Sequence, residues 1–547
     1  MKQKLLSCIT VFGIGLSLSA QNINVFEDVP FYSMYHYLGE GESLPPEAYS
    51  QIPSGAIRLH AYERDIISRK LTSEEISGLG SNLSIEVDLF AACDNYDRIA
   101  GINLALVPKG STAYTWDQTD VKRVELGRFI TPFMNKNKTP TSVPYSFPAN
   151  NLANILHNAN LMQHYDAWIE FRVDGYSAAA NQQVAGCADR TDVFRGSLKF
   201  VSTGTAPTSP NFFLPLSYRQ NLNNYNATDV PGTTTRIINF TLEQPVENAV
   251  LHLISSNHGA NTNGEEYVRR EHYVYLNDNL MYQYKPGGKT CEPYRQFNTQ
   301  ANGIYGATEK TLRNWMSWNN WCPGDAIPNR EISLGNLSAG QHSIKLTVPS
   351  AVFAGGEGYF PISMYIQNNK NGEVICEGPT NFRIENQINQ SFDLNWDQSP
   401  DTSWQVLYAR KNAFNTNLDN YVDTSNPTLH LDNLTINWYY EAYVKSKCLN
   451  NDKESLWIGP IYSQSIKLGT EEVSKNRIKI SPNPSDKEIT IQSPQKVTQV
   501  ILYTMDGKKL AEYHSKKFDI SNLPKGIYML LIHLENGETI SQKLIKK

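Results

Sequence analysis

The sequence predicts an all-β protein built from tandem antiparallel sandwiches, and three observations carry that prediction. Short runs alternating apolar and polar residues, separated by Gly, Pro, Asn and Asp, recur along the chain, which is the pattern of half-buried strands joined by turns. The composition of 30 Tyr and 9 Trp beside many Gly, Pro, Asn and Thr favours strands. Over residues 24 to 205 no helical period is sustained, apart from weak ones around Leu71 to Leu79 and Asn151 to Leu156. At 547 residues the chain is too long for one core and suits three or four domains.

Taken in order, residues 1–20 combine Lys2 and Lys4, an apolar run and Leu18-Ser19-Ala20, a secretory signal peptide absent from the mature protein. Leu6-Ser7-Cys8 precedes most of that apolar run and is not read as a lipid-attachment box. No later apolar stretch is long enough to cross a bilayer. Residues 21–205 form a first sandwich, with the alternating strand Leu83, Ile85, Val87, Leu89. Residues 206–370 form a second: Ala249, Leu251 and Leu253 alternate, as do Tyr273 and Tyr275, then Ile344, Leu346 and Val348, before the run Tyr359 to Ile366.

In residues 371–468, Phe392 and Leu394 precede Trp396 on an early strand, and Leu434 precedes Tyr440, Ala442 and Val444 on a late one. This segment resembles a fibronectin type III domain, whose default role is that of a spacer or docking module. A polar linker over residues 469–475 leads to 476–547. There Ser481-Pro482-Asn483-Pro484, Val500 to Tyr503, Asp506-Gly507-Lys508, Leu523 to Tyr528 and the terminal Lys543 to Lys547 resemble the C-terminal sorting domain of type IX secretion substrates. The resemblance implies type IX secretion machinery as a partner and a secreted or cell-surface location.

The formal net charge is −5, and no basic stripe interleaved with aromatics is present, so nucleic acid is not an expected partner. The sequence has neither CxxC nor HxH, which gives a metal centre little support.

The chemistry-bearing stretch is Cys93-Asp94-Asn95-Tyr96-Asp97-Arg98, where the strand Leu83 to Leu89 leaves the core. Alone, Asp-Asn-x-Asp is ordinary turn or calcium-loop chemistry. Its company is Gly127-Arg128-Phe129-Ile130-Thr131-Pro132-Phe133, then Gly264-Glu265-Glu266-Tyr267 running into an expected strand Val268 to Leu276, then Trp321-Cys322-Pro323-Gly324-Asp325-Ala326-Ile327-Pro328. Together, over about residues 24 to 368, these resemble the bacterial peptide-N-glycosidase F family.

That resemblance implies two tandem eight-stranded antiparallel jelly rolls with an active site in the cleft between them. It also implies a secreted amidase that cuts the bond between the innermost N-acetylglucosamine and asparagine of N-glycoproteins and N-glycopeptides, with no cofactor. The family's essential aspartate falls on Asp97 and its second acid on Glu266, one on each jelly roll. Arg98 would hold charge or position the peptide amide. A family glutamate two residues before a tryptophan falls on Asp174-Gly175-Tyr176, making Asp174 and Tyr176 candidate substrate contacts. His258, in Ser256-Asn257-His258-Gly259, falls near the family's Trp-Gly-His turn, as glycan contact or structural histidine. Trp318 and Trp321, in a dense aromatic group with Trp315, are candidate sugar platforms; Trp318 stands where the family has an arginine, with Arg313 further away. A family disulfide after the second acid is absent, since Val268 occupies that place.

Apart from Cys8, the cysteines are Cys93, Cys187, Cys291, Cys322, Cys376 and Cys448, an even number suited to disulfides in an exported chain. Cys291 and Cys322 match a bridged pair of the family. Cys376 and Cys448 would close the fibronectin-like segment, and Cys93 and Cys187 pair by elimination. The chain is expected to be a monomer. Rival readings are a glycan-binding surface protein without turnover and a copper monooxygenase on paired jelly rolls; retention of Asp97 and Glu266 counts against the first, and the missing HxH against the second.

Overall fold

The structure is a computed structural model that describes residues 21–34, 44–61, 64–207, 212–225, 228–259, 264–368, 376, 378–388, 390–397, 402–448, 453–464 and 478–547, except 506, 536 and 538. The expected signal peptide and the 469–475 linker lie outside the described residues. The chain falls into two compact units: residues 387–391, 432–437 and 465–547 form one, and the rest forms the other.

In the large unit the first sandwich faces a four-stranded sheet against a longer one. The four-stranded sheet runs Gln21–Tyr32, Asp192–Thr203, Asn82–Ala91, Ser142–Pro148, all antiparallel. Alternation places Leu83, Ile85, Val87 and Leu89 inward, as the sequence predicts. The second sheet runs Lys122–Ile130, Ile99–Pro108, Tyr165–Asp174, Arg64–Lys70, Ala56–Ala61. Its inner strand Ile99–Pro108 is buried on both faces: Ala100, Ile102, Leu104 and Leu106 enter the main core, while Ala105 and Val107 pack with Trp168 and Leu59. The weak helical periods become the short helices Ser73–Ser77, closed by a Thr72/Glu75 capping box, and Asn150–Leu156, which buries Leu152, Ala153, Ile155 and Leu156.

The second sandwich has four strands per sheet: Phe213–Leu222, Phe360–Asn368, Val246–Ser255, Asn329–Leu337 in one, and Thr235–Leu242, Gly340–Thr347, His272–Leu276, Asn279–Tyr284 in the other. Its core is Leu251, Leu253, Val274, Ile344, Leu346, Ile362 and neighbours. Among the described residues the first sandwich therefore has nine strands of its own, against the second's eight, and it borrows one more. Ala326–Ile327, just past Trp321-Cys322, pairs with Phe129 and Arg128 at the edge of the first sandwich's sheet.

A buried ionic cluster welds the two sandwiches. Arg128 donates to Glu125 at 2.9 and 2.6 Å, and its third nitrogen reaches across to Ser256 Oγ and the Pro361 carbonyl, both 2.8 Å away. Glu125 also receives Arg219 and the Ser363 hydroxyl at 2.6 Å each. Glycine is required beside it: a Cβ on Gly101 would lie 2.4 Å from the Arg219 guanidinium.

A third sandwich follows. Ser391–Asn395 pairs with Thr428–Leu431, and Thr402–Arg410 lies between Asn420–Thr424 and Tyr439–Cys448, with Ile458–Gln464 on the latter's far side. Trp396 and Trp404 meet edge to face in its core, and a Cys376–Cys448 disulfide closes it. Of the expected roles, spacer or docking module, its contacts suit the second, since it is packed on the second sandwich. Met316 shares a buried cluster with Leu407, Tyr443 and Trp457, and Arg313 is wholly buried against Asp419 and Glu441.

In the small unit, Lys479–Ser481, Glu488–Gln492 and Lys517–Asp519 form one sheet. Lys509–Tyr513, Val497–Thr504, Gly526–Leu534 and Thr539–Lys546 form the other, around a core of Ile489, Val500, Leu502, Leu530, Ile532 and Leu544.

Candidate active site

The loop after Asn82–Ala91 is held by chemistry that its own sequence supplies. Asp94 is fully buried and accepts the Tyr96 amide at 3.0 Å, the Tyr176 amide at 2.7 Å and the Arg98 guanidinium at 2.6 and 3.2 Å. Cys93 is tied to Cys187, so the loop is fixed at its root. At its far end the Arg98 amide donates to Thr131 Oγ at 2.8 Å, and the Thr131 amide returns a bond to the Arg98 carbonyl at 2.9 Å. The Gly127 to Phe133 stretch thus accompanies the Asp97 loop because Thr131 braces it and Phe133 packs on Tyr96, ring centres 5.6 Å apart. Of the loop's two aspartates, Asp94 is spent on structure, and half-buried Asp97 is left to face the cleft.

The opposite wall comes from the second sandwich. Glu265 is fully buried and bound to Arg270 at 2.9 Å twice and to the Val352 amide at 2.6 Å, whereas its neighbour Glu266 turns to the cleft. The Glu266 carboxylate accepts the Gly259 amide at 3.2 Å and the Tyr267 hydroxyl. Asn320 donates to the carbonyls of both Glu265 and Glu266, at 2.8 and 2.6 Å. The expected strand from Val268 begins only at His272, because Arg269 and Arg270 turn away as anchors.

The cleft encloses about 360 Å³ and is lined by Tyr96, Asp97, Arg98, Ile99, Ile130, Phe133, His258, Glu266, Tyr267, Asn302, Ile304 and Trp321. That volume is at the low end for small-molecule sites. Burial, followed by the Glu266 charge, pushes the Asp97 pKa up to about 7, with Arg98 opposing. Burial also raises Glu266, against the Tyr267 and Gly259 bonds. His258 is drawn down to about 3 by burial and then by Arg128 and Arg219, so it is neutral at physiological pH. Ser256 Oγ, which accepts from Arg128, also shares a hydrogen bond with His258 Nε2 at 2.7 Å. His258 therefore both lines the cleft and is satisfied. Trp321 donates its indole N–H to the Asn257 carbonyl at 2.9 Å and keeps part of its ring on the cleft.

The other expected contacts are not in the cleft lining. Asp174 forms a two-point ion pair with Arg172 at 2.8 Å. Tyr176 is exposed beyond the Asp94 loop, and its carbonyl accepts from Arg98 at 3.4 Å. Trp318 lies behind the wall, its ring 5.5 Å from Tyr267 and 5.3 Å from Trp315. Arg313 points away from the cleft altogether. Conversely, Tyr96, Tyr267, Phe133, Asn302 and Ile304 line the cleft without having been singled out. The first three sit inside the quoted motifs, while Asn302 and Ile304 come from the Gly/Asn-rich loop closed by the Cys291–Cys322 disulfide, where no periodicity marks them.

Two antiparallel sandwiches that each contribute one carboxylate to a common cleft define the class of protein this fold and site belong to. Residues 22–182 match peptide-N-glycosidase F, N terminal, and residues 224–367 match peptide-N-glycosidase F, C terminal; the chain belongs to the peptide-N-glycosidase F family. Residues 479–547 match the secretion system C-terminal sorting domain, which marks the chain for export, secreted or attached at the cell surface. No curated protein matches by sequence. Among solved structures, PNGF-II is 20% identical with a TM-score of 0.46, over 64% of this chain and 65% of that one, just under two thirds of its length. Recombinant peptide:N-glycanase F is 16% identical, TM-score 0.42, over 65% of this chain and 97% of its own. PNGase F, described as a glycosylasparaginase from Flavobacterium meningosepticum, is 15% identical, TM-score 0.41, over 64% and 96%. Among the described residues no helix is long and apolar enough to cross a membrane.

Proposed function

We propose that the protein hydrolyses the amide linking the innermost N-acetylglucosamine to asparagine in N-glycoproteins and N-glycopeptides. The observation that carries this reading is the pairing of Asp97 and Glu266 across the cleft, with Asp97 made far more basic than an ordinary carboxylate. A general base works best when its pKa lies near the working pH. Ionised Asp97 takes a proton from water as the water oxygen bonds to the carboxamide carbon. The tetrahedral oxyanion is stabilised by Arg98, whose guanidinium Asp94 holds against the cleft wall. As the C–N bond breaks, Asp97 returns the proton to nitrogen. The products are an aspartate side chain and a glycosylamine, which then loses ammonia in water. Glu266 is anchored by Gly259 and Tyr267, and its charge adds to the burial that makes Asp97 basic. Tyr96, Tyr267 and Trp321 offer ring faces to sugar, and Ile99, Ile130 and Ile304 limit water at the reacting carbon.

Incubation of an N-glycopeptide in oxygen-18-labelled water, followed by mass spectrometry, tests the reading. Conversion of glycosylated Asn to singly labelled Asp is expected. Release that leaves one sugar on Asn would make the protein an endoglycosidase, and binding without release would make it a glycan-binding protein.

A further inference from the structure

The third sandwich grips the backside of the catalytic wall at two arginines. Arg313, on the short helix Leu312–Met316, is fully buried with its guanidinium inside the third sandwich. It donates to Asp419 at 2.8 Å, to the Arg410 carbonyl at 2.9 Å, and to Glu441 and the Ala413 carbonyl. Arg269, also buried and three residues after Glu266, donates to the Met316 carbonyl at 2.8 Å and to the Gly459 carbonyl of the third sandwich at 3.1 Å. Both therefore converge on the helix that leads into Trp318, Asn320 and Trp321. Those residues in turn support Tyr267, the carbonyls of Glu265 and Glu266, and the cleft floor. A chain of short, buried, directional contacts thus runs from Asp419 and Glu441 to Glu266.

We propose that the third sandwich is a working part of the catalytic unit, with Arg313 as a positioning residue that sets the place of Glu266. The inference rests on the amidase reading for its kinetic consequence, but not for its structural one. A guanidinium sunk in a neighbouring domain with two carboxylates and two carbonyls costs much desolvation, so a spacer joint would be better served by apolar packing. What the arrangement supplies is direction: four hydrogen bonds from one planar guanidinium fix the helix axis against the neighbouring sheet.

The test uses the full chain in three forms: Arg313→Met, Asp419→Asn, and the apolar triple Arg313→Met, Asp419→Leu, Glu441→Met. Hydrogen exchange over residues 264–275 and 312–322 is read alongside kcat and KM on an N-glycopeptide. Arg313→Met leaves Asp419 and Glu441 buried without a cation, so exchange rises at 264–271, far from the substitution. In parallel kcat falls about 100-fold, the loss that misplacing a reacting group by about 1 Å brings, with KM little changed. The apolar triple restores packing and recovers both readouts. Should Arg313→Met fail to fold, Asp419→Asn, which leaves Glu441 on Arg313, shows the same changes more weakly. Faster exchange confined to residues 404–445 with kcat unchanged would overturn the proposal. So would a triple variant with native exchange at Glu266 and no recovery of kcat. If wild-type protein releases no glycan, the amidase reading fails, and exchange at 264–271 alone decides this one.

Discussion

Glu265 and Glu266 are neighbours with opposite fates, and the difference sets the residue-scale chemistry. Glu265 has an arginine and backbone donors to itself; Glu266 has an amide, a phenol and a second carboxylate across the cleft. Replacing Glu265 breaks a wall, whereas replacing Glu266 alters a proton affinity. Asp97→Asn removes the proton acceptor at nearly constant shape, and it is expected to lower kcat at least 100-fold, within the contribution of general-base catalysis, while glycopeptide binding by calorimetry persists. In wild type, kcat/KM should fall on acidification through an inflection near pH 7, since Asp97 must be ionised. Glu266→Gln removes the like charge, so that inflection moves to lower pH and the plateau drops with the weaker base. Linkage gives the complementary stability effect. A carboxyl whose folded pKa is raised contributes stability below its unfolded value of about 4 and loses it as pH rises through the folded value. Asp97→Asn should therefore melt higher than wild type at pH 8, with the difference fading near pH 4 in scanning calorimetry.

At the scale of elements, strands were legible and the contacts between loops were not. Leu83 to Leu89 and Ile344 to Leu346 alternate because each strand has one face on a core, and periodicity reports that directly, whereas Ala249 to Leu253 lies on a strand buried on both faces. Asp97 and Glu266 were legible through the motifs around them. Arg269 and Arg313 were not, because a buried arginine is explained by partners that are distant in sequence, such as Gly459 and Glu441. The delayed start of His272–Leu276 has the same origin, since Arg269 and Arg270 are drawn off to anchors that a local pattern does not encode. The two-residue strand Ala326–Ile327 is too short for any period to show. The loop braces should behave as separable parts. Thr131→Val leaves the Arg98 amide without its acceptor, which should cost about 1–3 kcal/mol in denaturant unfolding and lower kcat more than it raises KM. Replacing Cys93 and Cys187 by serine opens a closure of sequence separation 94 and should cost about 2–5 kcal/mol.

At the scale of the whole molecule, the buried Glu125, Arg128, Arg219 cluster makes the two sandwiches that form the cleft one body, so neither half should hydrolyse glycopeptide alone. Arg128→Met would strand Glu125 with half its cations and cut the bonds to Ser256 and Pro361, a loss of about 3–5 kcal/mol by the usual cost of breaking a buried pair. The two ends of the chain beyond that body differ in kind. The sorting segment 478–547 closes its own core, and its strands pair with one another, so a chain ending near residue 464 should keep full activity when made in another host and lose only export. A chain ending near residue 372 also keeps every cleft-lining residue, yet it should behave differently. It exposes Met316 and leaves Arg313 without Asp419, Glu441 and the carbonyls it was folded around. Comparing the two truncations by thermal unfolding and glycopeptide turnover separates the cases. The longer chain should match wild type, and the shorter should unfold at lower temperature and turn over slowly. Equal turnover by both would mean that the cleft holds its shape without the third sandwich.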